Sequence, residues 1–220
     1  MQMKNLNQRN QIIEYSLKLN STNLSPLRSG NISLRAKEDD IEGYLITPSG
    51  KKYETLKPKD IVFMSFYKEE EKNDSANKPS SEWRFHKDIY LNKKDAQAIV
   101  HAHSPHATAV SSHGKSIPPF HYMIALAGGE DIKCAEYATF GTEELSKNIV
   151  KALENRSACL MSNHGQVAFG KNLDQAFELA QEIENICQQY IIALKIGEPK
   201  ILSFKEMKKV LDKAKDYKKG

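Results

Sequence analysis

Three of the chain's seven histidines fall within six positions, in Ala98-Ile99-Val100-His101-Ala102-His103-Ser104-Pro105-His106. The apolar residues ahead of them predict a strand. Side chains alternate along a strand, so His101 and His103 share a face with Ile99, while Ala98, Val100 and Ala102 take the other. Two imidazoles so placed can hold a metal ion, for which histidine is the commonest ligand. The plainer alternative is a polar strand end with solvated histidines. A metal site needs a third ligand, and His164 is the natural one. It lies in Asn163-His164-Gly165, a predicted turn between two apolar strands, where an unpaired buried imidazole is costly. Alone it reads as a hydrogen-bonded core histidine; with the His-x-His strand upstream it reads as a ligand. Three imidazoles and an open position form the catalytic zinc pattern, whereas structural zinc is closed by four protein ligands. His106 is the strongest rival ligand, and His113 and His121 are left over.

Glu82 is the carboxylate of Pro79-Ser80-Ser81-Glu82-Trp83-Arg84-Phe85-His86. At a helix start it is a capping charge. Beside a metal it is a general acid/base, its pKa set by burial against the cation. Three small polar turns, Gly30-Asn31, Ser49-Gly50 and Ser80-Ser81, offer hydroxyls and backbone N–H groups. Together they can cradle a phosphate, the last of them at a helix N-terminus. Each alone is common, and the chain has no GxxxxGK[ST] loop.

These groups need a scaffold, and the apolar periodicity supplies one. A helix is predicted from about Asn5 to Asn20, with Leu6, Ile13 and Leu17 on one stripe. Strands follow at Ile32–Leu34, Gly43–Thr47 and Ile61–Phe66, then a charged loop from Lys68 to Lys78. The serines after Pro79 cap a helix from about Glu82 to Leu91 that buries Trp83, His86 and Tyr90. A short helix from Pro105 to Ser112 follows the histidine strand, and Ile132–Ala135 is a short strand. Thr142 caps a helix with Glu143 and Glu144 in its first turn and Leu145, Ile149, Val150 and Leu153 buried. Ala158–Met161 and Gln166–Gly170 pair around the His164 turn. The longest helix runs from about Leu173 to Ile196 with Ala176, Ala180, Ile183, Cys187, Tyr190 and Leu194 inward, stopped by Gly197 and Pro199. A tail helix spans about Phe204 to Tyr217. Helices before, between and after mostly antiparallel strands predict an α/β or α+β layered fold.

Composition narrows the function. At 220 residues the expectation is a single domain, 1–220, with a substantial core. No apolar run is long enough to span a bilayer, and the N-terminus has no continuous apolar signal region, so neither membrane nor export is expected. Cys134, Cys159 and Cys187 are odd in number without CxxC spacing, which suits a reducing cytoplasm. Lys205, Lys208, Lys209, Lys213, Lys215, Lys218 and Lys219 read as a solvated helix face. With no aromatic platform beside them, no nucleic acid partner is expected.

Ser29-Gly30-Asn31, Thr47-Pro48-Ser49-Gly50, the Pro79–His86 segment, His101-Ala102-His103 and Asn163-His164-Gly165 occur together over nearly the full length. In that combination the chain resembles the class II, zinc-dependent sugar-phosphate aldolases of the aldolase/adducin-head family. His121-Tyr122-Met123-Ile124-Ala125 and Tyr137-Ala138-Thr139-Phe140-Gly141-Thr142 resemble its fuculose-phosphate branch. The resemblance implies a three-layer αβα fold around a mostly antiparallel sheet, in a homotetramer with active sites between subunits. It implies zinc on His101, His103 and His164, and Glu82 as acid/base. Gly30, Asn31, Ser49, Gly50, Ser80 and Ser81 would hold the substrate phosphate. Tyr122 of a neighbouring subunit would protonate the aldehyde oxygen in the synthesis direction, Phe140 would line the aldehyde pocket, and Tyr217 would cover the site. Arg28-Ser29 is bulkier than the family's usual residues there, and the chain past Tyr217 is short.

The implied reaction is reversible cleavage of L-fuculose 1-phosphate, or a related deoxy-ketose 1-phosphate, to dihydroxyacetone phosphate and L-lactaldehyde. Same-fold rivals are a pentulose-phosphate epimerase and methylthioribulose-1-phosphate dehydratase. Glu82, where the epimerases resemble an aspartate, argues against the first, and the Tyr122 context against the second. A non-catalytic scaffold like the adducin head is opposed by the full set of histidines with Glu82.

Overall fold

A computed structural model describes residues 3–67 and 77–217, the side chains of 215–217 excepted. Seven strands form one sheet: β1 (Asn31–Glu38), β2 (Ile41–Ile46), β3 (Val62–Ser65), β4 (Ala98–Ala102), β5 (Cys134–Ala135), β6 (Ala158–Met161) and β7 (Gly165–Gly170), in the order β3-β2-β1-β4-β7-β6-β5. All neighbours are antiparallel except β5 beside β6. The histidine strand β4 is central. His101 lies opposite Asn31 of β1 on one side and Val167 of β7 on the other.

Alternation along β4 splits the core as expected. Ala98, Val100 and Ala102 belong to one apolar cluster, and Ile99 to another across the sheet. The first is covered by α1 (Leu6–Ser21), α3 (Pro105–Ser111), α5 (Leu173–Ile196) and α6 (Phe204–Tyr217). The second is covered by α2 (Trp83–Asn92) and α4 (Glu143–Ala152). Each fully buried Ile or Val contributes roughly 1.5–3 kcal/mol relative to exposure. The result is the three-layer αβα arrangement.

Local chemistry sets the helix ends. Thr142 Oγ1 accepts the Leu145 N–H, with Glu143 and Glu144 in the first turn of α4. At α2 the N-cap residue is Glu82, not a serine, and its carboxylate makes no capping bond; Ser80 Oγ instead accepts the Glu82 N–H at 3.3 Å. The carboxylate is therefore free to turn toward the histidines. Residues 68–76 of the expected charged loop lie outside the described residues.

Three packing expectations are corrected. On α1 the inward residues are Ile12, Tyr15, Ser16 and Leu19, whereas Leu6 and Leu17 are about two-fifths exposed. That helix carries two apolar stripes, and the one with the aromatic faces the sheet. Arg9 is buried beside it because its guanidinium donates to Lys4, Pro58 and Ile61 carbonyls and pairs with Glu38. On α4, Val150 is only half-buried, and Ser146 and Ala152 complete the inner face. On α5, Leu194 is exposed and Tyr190 half-buried, since the helix outruns the sheet beneath it. The 3-10 helix Tyr122–Ala127 had no periodicity to announce it.

Gly165 and Gly30 clamp the end of β4 between them. A Cβ on Gly165 would stand 2.4 Å from the Ala102 carbonyl oxygen, and one on Gly30 2.7 Å from that of His101. Gly165→Ala should therefore cost about 1–3 kcal/mol through overpacking against backbone. In urea the midpoint should fall with an unchanged slope; an unmoved midpoint would mean the strand end has slack.

Candidate metal centre

β4 delivers His101 from within the sheet and His103 just past its end, while the β6–β7 turn delivers His164. That turn works because Asn163 adopts φ 55°, a left-handed conformation asparagine tolerates. The three imidazoles meet nearly edge to face, with centroids 4.8–4.9 Å apart. Glu82 closes the group from the start of α2. One ligand atom from each of Glu82, His101, His103 and His164 lies within 4.8 Å of all the others. His101 Nε2 is 2.9 Å from His103 Nε2 and 3.1 Å from Glu82 Oε2, and His164 Nε2 is 3.1 Å from Glu82 Oε1. His106 is not part of the cluster. Its ring and backbone N–H bind Glu184 of α5, whose carboxylate also accepts the Ala107 N–H and so caps α3.

The donor set suits a divalent cation. His101 Nδ1 donates to the Gln166 carbonyl at 2.8 Å, which fixes the ring and leaves Nε2 as the atom that could ligate a metal. Two ring nitrogens 2.9 Å apart cannot both carry protons, so at least one presents a lone pair. Glu82 Oε1 is buried yet accepts no hydrogen bond among the described residues, although His164 Nε2 lies 3.1 Å away. A buried, unsatisfied carboxylate oxygen is costly, so it needs a proton or a cation to complete it.

The electrostatics agree. Burial pushes the Glu82 carboxyl up, but the facing His101 and His164 outweigh it and hold the group well below the usual carboxylate range. Burial lowers His101, yet Glu82 lifts it above its ordinary value. His103 is pushed down to about 3, by burial first and then by its two histidine neighbours. Metal binding at these imidazoles would therefore compete with their protonation.

The remaining sequence-predicted residues distribute unevenly. Thr47–Gly50 and Lys78–Ser81 run side by side: Pro48 bridges Pro79, Ser49 N–H donates to Lys78, and Ser80 N–H donates to Thr47. Ser49 and Gly50 are exposed on one side of this pair; Ser80 is buried and Ser81 exposed on the other. Arg28 reaches across and donates to the Gly50 carbonyl at 2.9 Å. Phe140 is largely exposed, with the next residue, Gly141, against the Ser81 backbone. Gly30 accepts a bond from the Tyr53 hydroxyl. Asn31 is buried, and its amide donates to Glu82 and meets His86 through its oxygen, so within this chain it touches the carboxylate directly. Tyr122 is half-exposed and belongs to the helical layer on the sheet's other face. The Tyr217 side chain lies outside the described residues.

Sequence reading did not single out Ser33, His86, Tyr90 and Gln166 as partners of the site. His86 and Tyr90 were visible only as buried helix positions. Their link to Glu82 is the four-residue spacing 82, 86, 90 on one helix face. The use of the Gln166 backbone carbonyl leaves no residue-type signal at all.

The sequence profile of the Class II Aldolase and Adducin N-terminal domain family matches residues 10–191. The chain is 45% identical over 208 residues to the L-fuculose phosphate aldolase of Escherichia coli K12, covering 94% of each. It is 44% identical over 209 residues to the 5-methylthioribulose-1-phosphate/5-deoxyribulose-1-phosphate aldolase of Rhodospirillum rubrum, covering 95% of this chain and 91% of that one. A solved L-fuculose 1-phosphate aldolase superposes with a TM-score of 0.87 at 38% identity, over 98% of both chains.

Proposed function

We propose, from the premise that this chain belongs to the Class II Aldolase and Adducin N-terminal domain family and is a carbon–carbon lyase acting on a small sugar phosphate, that its substrate is L-fuculose 1-phosphate or a close deoxy-ketose 1-phosphate. Cleavage between C3 and C4 gives dihydroxyacetone phosphate and an aldehyde, L-lactaldehyde for the fuculose substrate. The observation that carries this reading is the unsatisfied Glu82 oxygen among three convergent imidazoles, beside paired serine turns. It is the equipment for stabilising and protonating a carbanion next to an anchored phosphate. A second substrate reading, 5-deoxyribulose 1-phosphate or its methylthio counterpart, is favoured by the similar identity to the Rhodospirillum rubrum aldolase. No helix among the described residues is long and apolar enough to cross a membrane. The working form proposed is a cytoplasmic homotetramer of this single domain.

His101, His103 and His164 would hold the cation, and zinc suits a site of three nitrogens with an open position. When bound, it would supply Lewis-acid polarisation of the ketose oxygens. The chain's own residues do the rest. Gly30, Ser49, Gly50, Ser80 and Ser81 hold the phosphate by N–H and O–H donation, so remote binding energy orients C3. Asn31, from this position, serves the carboxylate as well as the substrate. Glu82 moves the proton on and off C3. Tyr122 of an adjacent subunit exchanges the C4 hydroxyl proton, Phe140 packs on the aldehyde carbon chain, and Tyr217 covers the pocket.

The test is a panel of L-fuculose, 5-deoxyribulose and methylthioribulose 1-phosphates. Dihydroxyacetone phosphate release would be measured with and without chelator and zinc add-back. Chelator-sensitive release fastest from the fuculose substrate is expected. Metal-loaded protein that releases none from any ketose 1-phosphate would sink this reading.

A further inference from the structure

We infer that His86, backed by Ser33 and Tyr90, is a positioning residue that orients the Asn31 amide and thereby makes Glu82 Oε1 the oxygen that carries the proton. The inference rests on the reading of Glu82 as proton carrier and adds how that carrier is aimed.

The argument starts from what a carboxylate can do, which is accept only. Asn31 Nδ2 donates to Glu82 Oε2 at 2.8 Å. The same amide must then turn its oxygen the other way, and Oδ1 lies 2.5 Å from His86 Nε2. That nitrogen must carry the proton, since an amide oxygen has none to give. A neutral imidazole protonated at Nε2 has its lone pair at Nδ1. Ser33 Oγ is 2.7 Å from Nδ1 and so donates to it. The Ser33 oxygen is 2.8 Å from the Tyr90 hydroxyl, which donates in its turn. Every donor in the chain from Tyr90 through Ser33, His86 and Asn31 points toward Glu82. Reversing the direction would need a proton on Oε2.

The scaffold explains why five side chains line up. Glu82, His86 and Tyr90 are four residues apart on α2, a step of about 6 Å at 1.5 Å per residue. Asn31 and Ser33 are two apart on one face of β1, a step of about 6.6 Å. The two periods nearly match, so helix groups and strand groups alternate in a single file. All five are buried, none more than 6% exposed, and solvent cannot replace a missing link. The His86 ring also stacks on Phe85, with centroids 4.7 Å apart and planes 21° off parallel. Burial holds His86 down to about 3, assisted by His101, so it stays neutral as this wiring requires.

The functional consequence is an asymmetric carboxylate. Oε2 and Oε1 each face an imidazole at 3.1 Å, His101 and His164 respectively, but only Oε2 accepts a hydrogen bond, from Asn31, among the described residues. A proton taken from the substrate carbon therefore goes to Oε1, and returns from it.

Deuterium exchange into dihydroxyacetone phosphate, followed by NMR, isolates that step, with metal content measured in parallel. H86F keeps the stack on Phe85 but breaks both ring bonds and releases the Asn31 amide to flip. Exchange and kcat should fall by about 10- to 100-fold, the range for outer partners of a catalytic centre, with metal content kept and a much smaller rise in KM, since Gly30, Ser49, Gly50, Ser80 and Ser81 still hold the phosphate. H86Q restores a donor near the Nε2 position and should recover most of the exchange. H86N restores contact only on the Ser33 side and should not. Y90F, which removes only the last link, should lose less in the same direction. H86F with wild-type exchange, or H86Q and H86N behaving alike, would overturn the inference; should H86F fail to fold, the Gln/Asn contrast decides alone. Wild-type protein that does not exchange would overturn the reading of Glu82 itself, a distinguishable result.

Discussion

Glu82→Gln should lower kcat by about 10²- to 10⁴-fold, the usual contribution of a positioned general acid/base, while leaving the metal in place. That is about 3–5 kcal/mol of transition-state free energy at 1.36 kcal/mol per tenfold. The substitution is nearly isosteric, and its effect can be placed atom by atom. The new side-chain oxygen still accepts the Asn31 amide where Oε2 does now, at 2.8 Å. The new NH2 falls at Oε1 and aims a donor at the His164 ring, where a proton acceptor stood. Nothing remains that can take a proton from carbon. The three imidazoles keep their convergence, because His101 is fixed independently through the Gln166 carbonyl. Metal analysis by plasma mass spectrometry and single-turnover kinetics separate the two effects. Activity within tenfold of wild type, with metal bound, would remove Glu82 from the proton path. A second signature follows from charge. Glu82 is what lifts His101 above its ordinary pKa, so in the metal-free variant the His101 titration should move downward, readable by NMR.

The proposed metal ligands and the residues proposed to aim Glu82 differ in how far the sequence exposes them. His101 and His103 were legible because strand alternation is rigid: two residues apart means one face, whatever the fold. The histidine of the Asn-His-Gly turn was legible only through that pair, since alone it reads as a hydrogen-bonded core residue. Thr142 and its acidic neighbours announced α4 by the same economy, since a cap acts within three residues. The α1 face was misread because two stripes of similar hydropathy compete, and only the sheet decides between them. The Glu82–Asn31–His86 link joins positions 51 and 55 apart in sequence. It depends on the match between a helix period and a strand period in separate elements, which no local pattern encodes. Asn31 sits where a sequence match assigns a phosphate ligand, yet the fold turns its amide onto the carboxylate. One residue would thus tie the proposed anion pocket to the proposed proton carrier.

His164→Ala should lower metal affinity by more than the roughly 10- to 100-fold typical of losing an outer partner, and activity should fall with it. The reason is geometric. His101 and His103 approach from one strand and place their Nε2 atoms 2.9 Å apart, which defines a line of approach but not a coordination polyhedron. His164 comes from the opposite turn, its ring nearly perpendicular to both, and supplies the third direction. Without it, a cation keeps two nitrogens and a carboxylate that is also held by Asn31. The fold should survive, because the turn is built from the Asn163 backbone and the Gly165 contact with β4, neither of which uses the imidazole. Circular dichroism should therefore be unchanged while metal content collapses. The control is His106→Ala. His106 lies four residues past the end of β4, and its ring serves Glu184 of α5 instead. That variant should lose about 1 kcal/mol of stability from one side-chain hydrogen bond and keep full metal and full turnover. If His106→Ala lost the metal and His164→Ala kept it, the ligand assignment would be reversed, and the β6–β7 turn would be structural rather than catalytic.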